Sequence, residues 1–78
     1  MLKYNLEFIL NTYNTSADII KNSLSEFGEN LEITVCQDSN AKSKDYKINL
    51  NTEEPTVIFD VCSQFGKIKT IKVSEDIT

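Results

Sequence analysis

The sequence predicts an α+β fold, a two-layer sandwich of four antiparallel strands with two helices on one face, in the order β-α-β-β-α-β. Three observations predict it. Apolar and polar residues alternate in four separate stretches, the period of a strand with one buried face. Two intervening segments repeat apolar residues every three or four positions, the period of an amphipathic helix. The same punctuation also occurs twice, 38 residues apart in a chain of 78: Ser25-Glu26-Phe27-Gly28 leads to Ile33-Thr34-Val35, and Ser63-Gln64-Phe65-Gly66 leads to Ile71-Lys72-Val73.

In the first strand, Leu2, Tyr4, Leu6, Phe8 and Leu10 alternate with Lys3, Asn5, Glu7, Ile9 and Asn11. Asn11 to Ser16 follows as a loop of turn-forming residues, in which Asn14, Thr15 or Ser16 caps the first helix and Asp18 complements its dipole. Ala17, Ile20, Leu24 and Phe27 line the buried face of that helix, and Gly28 ends it as the residue after the C-cap. Leu31, Ile33 and Val35 alternate with Glu32, Thr34 and Cys36 in the second strand, and a polar loop over Gln37 to Ser43 leads to a third, where Tyr46, Ile48 and Leu50 alternate with Asp45, Lys47 and Asn49. Thr52 is then expected to cap the second helix, with Glu53 and Glu54 at its positive end and Pro55 in its first turn. Ile58, Val61, Cys62 and Phe65 form its apolar stripe, and Gly66 stops it. Ile71 and Val73 face inward from the fourth strand, with Thr70 and Lys72 outward, and Ser74 to Thr78 is expected to fray.

At the 38-residue offset Phe8 matches Tyr46, Leu10 matches Ile48, Ile20 matches Ile58 and Phe27 matches Phe65. A duplicated βαβ unit with right-handed crossovers has one compact solution. It is the ferredoxin-like sandwich, strand order 4-1-3-2, here as a single domain over residues 1–78.

Composition narrows the function. The formal charge of −4 opposes binding to nucleic acid or an anionic membrane, both of which require a basic footprint. The outward positions that a base-stacking domain of this topology fills with aromatics carry Glu7, Ile9, Lys47 and Asn49. There is no His, and Cys36 and Cys62 form no CxxC pair, so neither a metal site nor a cofactor is expected. Cys62 belongs to an apolar stripe, and Cys36 has outward parity with no basic neighbour in sequence to activate it. Glu53 and Glu54 are adjacent and point in different directions on a helix, and no nucleophile–base pair can be named, so no enzyme activity is expected. Residues 1–11 contain Glu7 and lack a small-residue cleavage site, and no run approaches the ~20 apolar residues of a membrane span. The expectation is a cytoplasmic protein.

The junction Phe27-Gly28-Glu29-Asn30-Leu31-Glu32-Ile33 resembles ACT domains, whose Gly-x-Asn-Ile signature links the first helix to the second strand. Gly66 to Val73 is similar to that family's last strand. The resemblance implies a ferredoxin-like module that binds an amino acid at a dimer interface and regulates an attached enzyme. The family's ligand loop carries Pro-Gly at the start of the first helix; the matching positions here are Asn14 and Thr15.

The best small-ligand candidate is therefore the loop Asn11, Thr12, Tyr13, Asn14, Thr15 and Ser16. Its amides and hydroxyls, with the N–H groups of a helix N-terminus, suit a small anion such as an amino acid. Capping and turn formation are the ordinary uses of the same residues. Two functions follow: a non-catalytic, dimeric, small-molecule-binding regulatory module, or a protein-interaction and assembly module without a ligand, whose second strand, at a sheet edge, offers unpaired backbone groups.

Overall fold

The computed structural model describes residues 3–13, 15–36 and 43–76. The expectations for Leu2, Asn14, the loop residues 37–42 and residues 77–78 lie outside them. Six elements follow one another: β1 (Lys3–Thr12), α1 (Ala17–Leu24), β2 (Glu29–Cys36), β3 (Lys44–Thr52), α2 (Pro55–Ser63) and β4 (Gly66–Asp76). The fold is α+β. The strands form one antiparallel sheet in the order β2-β3-β1-β4, which counted from the β4 edge reads 4-1-3-2. This arrangement is compatible with a ferredoxin-like sandwich.

The sheet is built outward from β1 and β3, whose register runs without interruption from Tyr4↔Thr52 to Thr12↔Lys44. Leu6, Phe8 and Leu10 of β1 and Tyr46, Ile48 and Leu50 of β3 all point to one face and are buried there. Ile20 and Leu24 of α1 and Ile58 and Cys62 of α2 complete the core, so both helices cover the same face. The ring of Phe59 meets Phe8 edge-on, centroids 5.6 Å apart, a contact worth about 0.5–1.5 kcal/mol beyond its area.

The helices obey the 38-residue repeat. Ser16 and Glu54 are their N-caps, and the amides of Ile20 and Ile58 donate to the carbonyls of those caps. Each helix closes in the same tight turn, Phe27 N–H to Leu24 C=O (3.0 Å) and Phe65 N–H to Cys62 C=O (2.9 Å). The edge strands do not obey it. Glu29 opposes Asn51, so the repeat would set Lys67 opposite Tyr13; Lys67 instead opposes Asn11. The displacement is two residues there and is not constant along the strands, because the bulges of β2 and β4 fall at different points.

Both edge strands carry a bulge. In β2 the register shifts between Glu29 and Glu32, where Asn30 has φ 54°; in β4 it shifts opposite Phe8, where Thr70 has φ 53°. Asn tolerates that left-handed backbone, whereas a β-branched Thr is strained in it. The bulge in β4 also resets parity. Ile68 pairs with Leu10 and Val73 with Leu6, so both lie on the helix side although they are five residues apart.

Several expectations need correction. Helical spacing for Phe27 and strand parity for Val35, Ile71 and Val73 predict core positions, yet they are 38%, 53%, 51% and 50% exposed. The cause is length. Helices of eight and nine residues extend only about 12–14 Å, whereas the eleven residues of β4 extend about 36 Å. Ser74 to Asp76 do not fray; they pair with Asn5, Tyr4 and Lys3. Thr52 does not cap α2: it ends β3, Glu54 is the N-cap, and no acid occupies the first turn. Neither glycine has positive φ, so neither is a left-handed helix stop. They are required by close approach: a Cβ at Gly66 would fall on the Asn11 carbonyl, and one at Gly28 would strike the Leu50 side chain.

Two outcomes follow for urea unfolding. Gly66→Ala loses about 3 kcal/mol or more, because the obstacle is backbone and cannot rotate away, and Gly28→Ala loses less, because Leu50 can move. Thr70→Gly gains roughly 0.5–1 kcal/mol by removing left-handed strain, and an unchanged or lower midpoint would contradict the strain.

Candidate functional site

The described residues of the sequence-predicted loop fall in four environments. Asn11 and Thr12 are the last residues of β1 and not loop residues. Asn11 points to the outer sheet face, where its Nδ2 donates to Asp45 Oδ1 (2.6 Å) and Ser43 Oγ (3.2 Å). Thr12 is buried on the helix side, its hydroxyl directed at the Thr15 carbonyl (3.5 Å), which also accepts from Tyr46 Oη–H (3.0 Å). Tyr13 is 70% exposed. Ser16 caps α1 by accepting from the Ile19 amide at 3.4 Å. Asn14 lies outside the described residues. The side-chain groups of Asn11, Thr12 and Ser16 thus serve the strand end and the helix cap, and they do not converge on a common point.

A groove of about 730 Å³ lies at the other end of the sheet, between the α1–β2 junction and the β3–α2 connection. In sequence, Asn51 to Glu54 is the counterpart of the first loop and a poor anion site because of Glu53 and Glu54; its approach to the α1–β2 junction is a product of the fold. Its wall includes Glu26, Glu29, Glu53 and Glu54 and, as the one cation among the described residues, Lys3, whose Nζ is 2.6 Å from Glu29 Oε2. Beneath it the buried Thr52 hydroxyl donates to the Phe27 carbonyl (2.7 Å) and accepts from the Glu54 amide (3.0 Å). Four carboxylates around an open groove repel an anion.

The outer sheet face is polar. Asn5 Nδ2 bridges Asn49 and Asn51 at 3.0 and 2.8 Å, Glu7 receives Lys47 (3.5 Å) and Lys72 (4.0 Å), and Asp45 receives Lys69 (3.7 Å). Such exposed ion pairs are worth at most about 1 kcal/mol each. Among the described residues, no group of three or more His, Cys, Asp or Glu is placed to hold a metal ion, and no helix is long and apolar enough to cross a membrane.

The two thiols occupy opposite faces and are free. Cys36 pairs with Asp45 on the outer side, half-buried. Cys62 is in the core, where loss of solvation pushes its thiol from 9.0 up to about 12.

What remains open to a partner is the pair of sheet edges. β2 and β4 each have a neighbour on one side only. Val35, partner of the buried Tyr46, and Val73, partner of the buried Leu6, present half-exposed side chains on the helix side of opposite edges. Ile71 alternates with Val73 and shares its face.

No family model matches the chain, and no curated protein or solved structure matches it. The ACT-like Gly28-x-Asn30 pattern has local uses in this fold: Gly28 permits contact with Leu50, and Asn30 takes the left-handed bulge position.

Thiol titration checks the placement of the cysteines. At pH 8 a disulfide reagent modifies one thiol of the native protein, Cys36, and reaches Cys62 only on unfolding. Above pH 9 the unfolded thiolate forms while native Cys62 keeps its proton, so stability falls as pH rises from 9 towards 12. Cys62→Ala removes that part of the slope, and the same slope in the variant would show that Cys62 is not its source.

Proposed function

We propose that this protein is a non-catalytic interaction module of ferredoxin-like architecture that docks partners along the edges of its sheet. The observation that carries this reading is that half-exposed apolar side chains, Val35 on β2 and Ile71 and Val73 on β4, lie on the helix side of the two strands with unpaired backbone groups. A strand added at either edge would satisfy that edge's groups and cover its apolar side chains together, the mode of β-augmentation. Apolar side chains flanking an open edge otherwise invite unspecific pairing.

The reading of an ACT-like small-anion module ranks second. Its support is the Gly28-x-Asn30 junction and the polar loop before α1. The hydrogen bonds of Asn11, Thr12 and Ser16 within the fold, and the acidic lining of the groove, favour edge docking over anion binding.

Light scattering after size exclusion at rising concentration, with a parallel pull-down, tests the proposal. Val35→Lys and Ile71→Lys place a charge on positions already half in solvent, so the fold, followed by far-UV circular dichroism, is retained while association drops. A wild-type chain that stays monomeric and captures nothing, or variants that associate as the wild type does, would overturn edge docking. A thermal shift with amino acids at millimolar concentration would favour the second reading.

A further inference from the structure

The partner reading can be carried further on the same edges, and it rests on edge docking as proposed above. The sheet can be read in rows of cross-strand neighbours. One row runs Glu32, Asn49, Glu7, Lys72; the next on that face runs Thr34, Lys47, Ile9, Lys69; a third runs Cys36, Asp45, Asn11, Lys67. These rows lie on the outer face. On the helix face one row runs Val35, Tyr46, Leu10, Ile68, and the row of Ile33 ends at the β4 bulge beside Ile71.

The edges differ in charge. β2 carries Glu29 and Glu32 and no Lys, while β4 carries Lys67, Lys69 and Lys72 over Gly66 to Lys72 and places its two acids, Glu75 and Asp76, at its far end. Glu29, Glu32, Lys67, Lys69 and Lys72 each pair within a row of the outer face. Among the described residues Glu32 has no ion pair, and Lys72 shares Glu7 with Lys47 at the loose distance of 4.0 Å. Strand direction is also complementary. In an antiparallel sheet of order β2-β3-β1-β4 the two edges run in opposite senses, so β4 of one copy set beside β2 of the next continues the antiparallel alternation with all helices on one face.

We propose that the occupant of each edge is a second copy of this chain, joined head to tail through a β4–β2 seam. Extending the rows without stagger sets Lys72 beside Glu32 of the neighbour, Ile68 beside Val35 and Ile71 beside Ile33. The outer face of the seam then joins opposite charges, and its helix face covers the exposed apolar side chains. Thr34 to Cys36 and Lys67 to Lys69 are free of bulges in both strands, so the seam ladder is regular there, and Thr70 interrupts it by one step before Lys72. Symmetric pairings that overlap the charged parts of one edge are disfavoured by charge. β4 against β4 centred on Gly66 to Lys72 sets Lys67 opposite Lys72, and β2 against β2 centred between Asn30 and Leu31 sets Glu29 opposite Glu32; like charges directly opposite destabilise a strand pair. A head-to-tail contact leaves one free edge at each end, so it propagates to longer chains or closes as a ring, with the right-handed sheet twist rotating each copy on the last.

Sedimentation velocity of the full chain at rising concentration, in low salt, tests the seam. The wild type shows a series of species beyond the dimer. Glu32→Lys alone and Lys72→Glu alone, checked for fold by circular dichroism and urea midpoint, each weaken self-association by about fivefold or more. Mixed in equal amounts, the two variants recover wild-type association, because each supplies the charge that the other needs at both edges. Singles that associate undiminished, a mixture that does not recover, or a wild type that stops at a dimer would overturn the seam. If Val35→Lys and Ile71→Lys still suppress the residual association, or suppress capture of a different protein by a monomeric chain, edge docking survives while the head-to-tail copy does not. A monomer that captures nothing overturns both.

Discussion

Everything in this molecule depends on the pairing of β1 with β3. Among the described residues it is the one strand pair whose register never shifts, and it contributes six of the ten buried hydrophobic residues. A slip of one residue between them would turn the inward set of one strand, Leu6, Phe8 and Leu10 or else Tyr46, Ile48 and Leu50, to solvent and bring Glu7 and Ile9, or Lys47 and Asn49, under the helices. The polar outer face favours the same register, since Asn5 reaches both Asn49 and Asn51 only when it stands opposite Asn51. The helices and edges are fitted to this central ribbon. Their contacts are adjusted by bulges, by two glycines that admit close backbone approach, and by threonine hydroxyls that tie strand ends to neighbouring turns.

The centre and the edges meet different demands. The central strands are covered by helices and by each other. The edges lie where short helices no longer reach, so their apolar side chains stay half in water while their backbones lack partners on one side. Lysine, glutamate and a bulge on these edges discourage indiscriminate pairing. The same charges, opposite in sign on the two edges, also give one pairing an advantage over the rest. Protection and specificity are thus served by one set of residues.

Much of the fold was legible in the sequence, and the reason is periodicity. Alternation over Tyr4 to Leu10 and over Tyr46 to Leu50 marks strands buried on one face, and the recurrence of Ile20 and Leu24 as Ile58 and Cys62 marks the repeat. What alternation cannot show is coverage: Val35 and Ile33 have the same parity, but only Ile33 lies under a helix. It also fails across a bulge. Gly66-Lys67-Ile68-Lys69 alternates with its own phase, one residue out of step with Ile71 and Val73, and that broken phase was the available signal for Thr70. Gly28 and Gly66 were read as left-handed stops because sequence does not distinguish a glycine needed for its dihedral angle from one needed for its lack of a side chain. The loop candidate was misplaced at its start for a related reason. Asn11 and Thr12 have turn-forming composition, but the alternation of β1 runs through them to a buried Thr12.

The neighbouring positions of Lys3 and Asp76 in the β1–β4 ladder have a mechanical meaning. The first residues of β1 and the last of β4 lie side by side at one end of the sheet. A pulling force applied through them acts across the ladder rather than along it. It opens one pair at a time, like a zip, from Lys3–Asp76 toward the bulge opposite Phe8, and never loads all the hydrogen bonds together. The fold is therefore weak to tension through these two points however well its centre is packed.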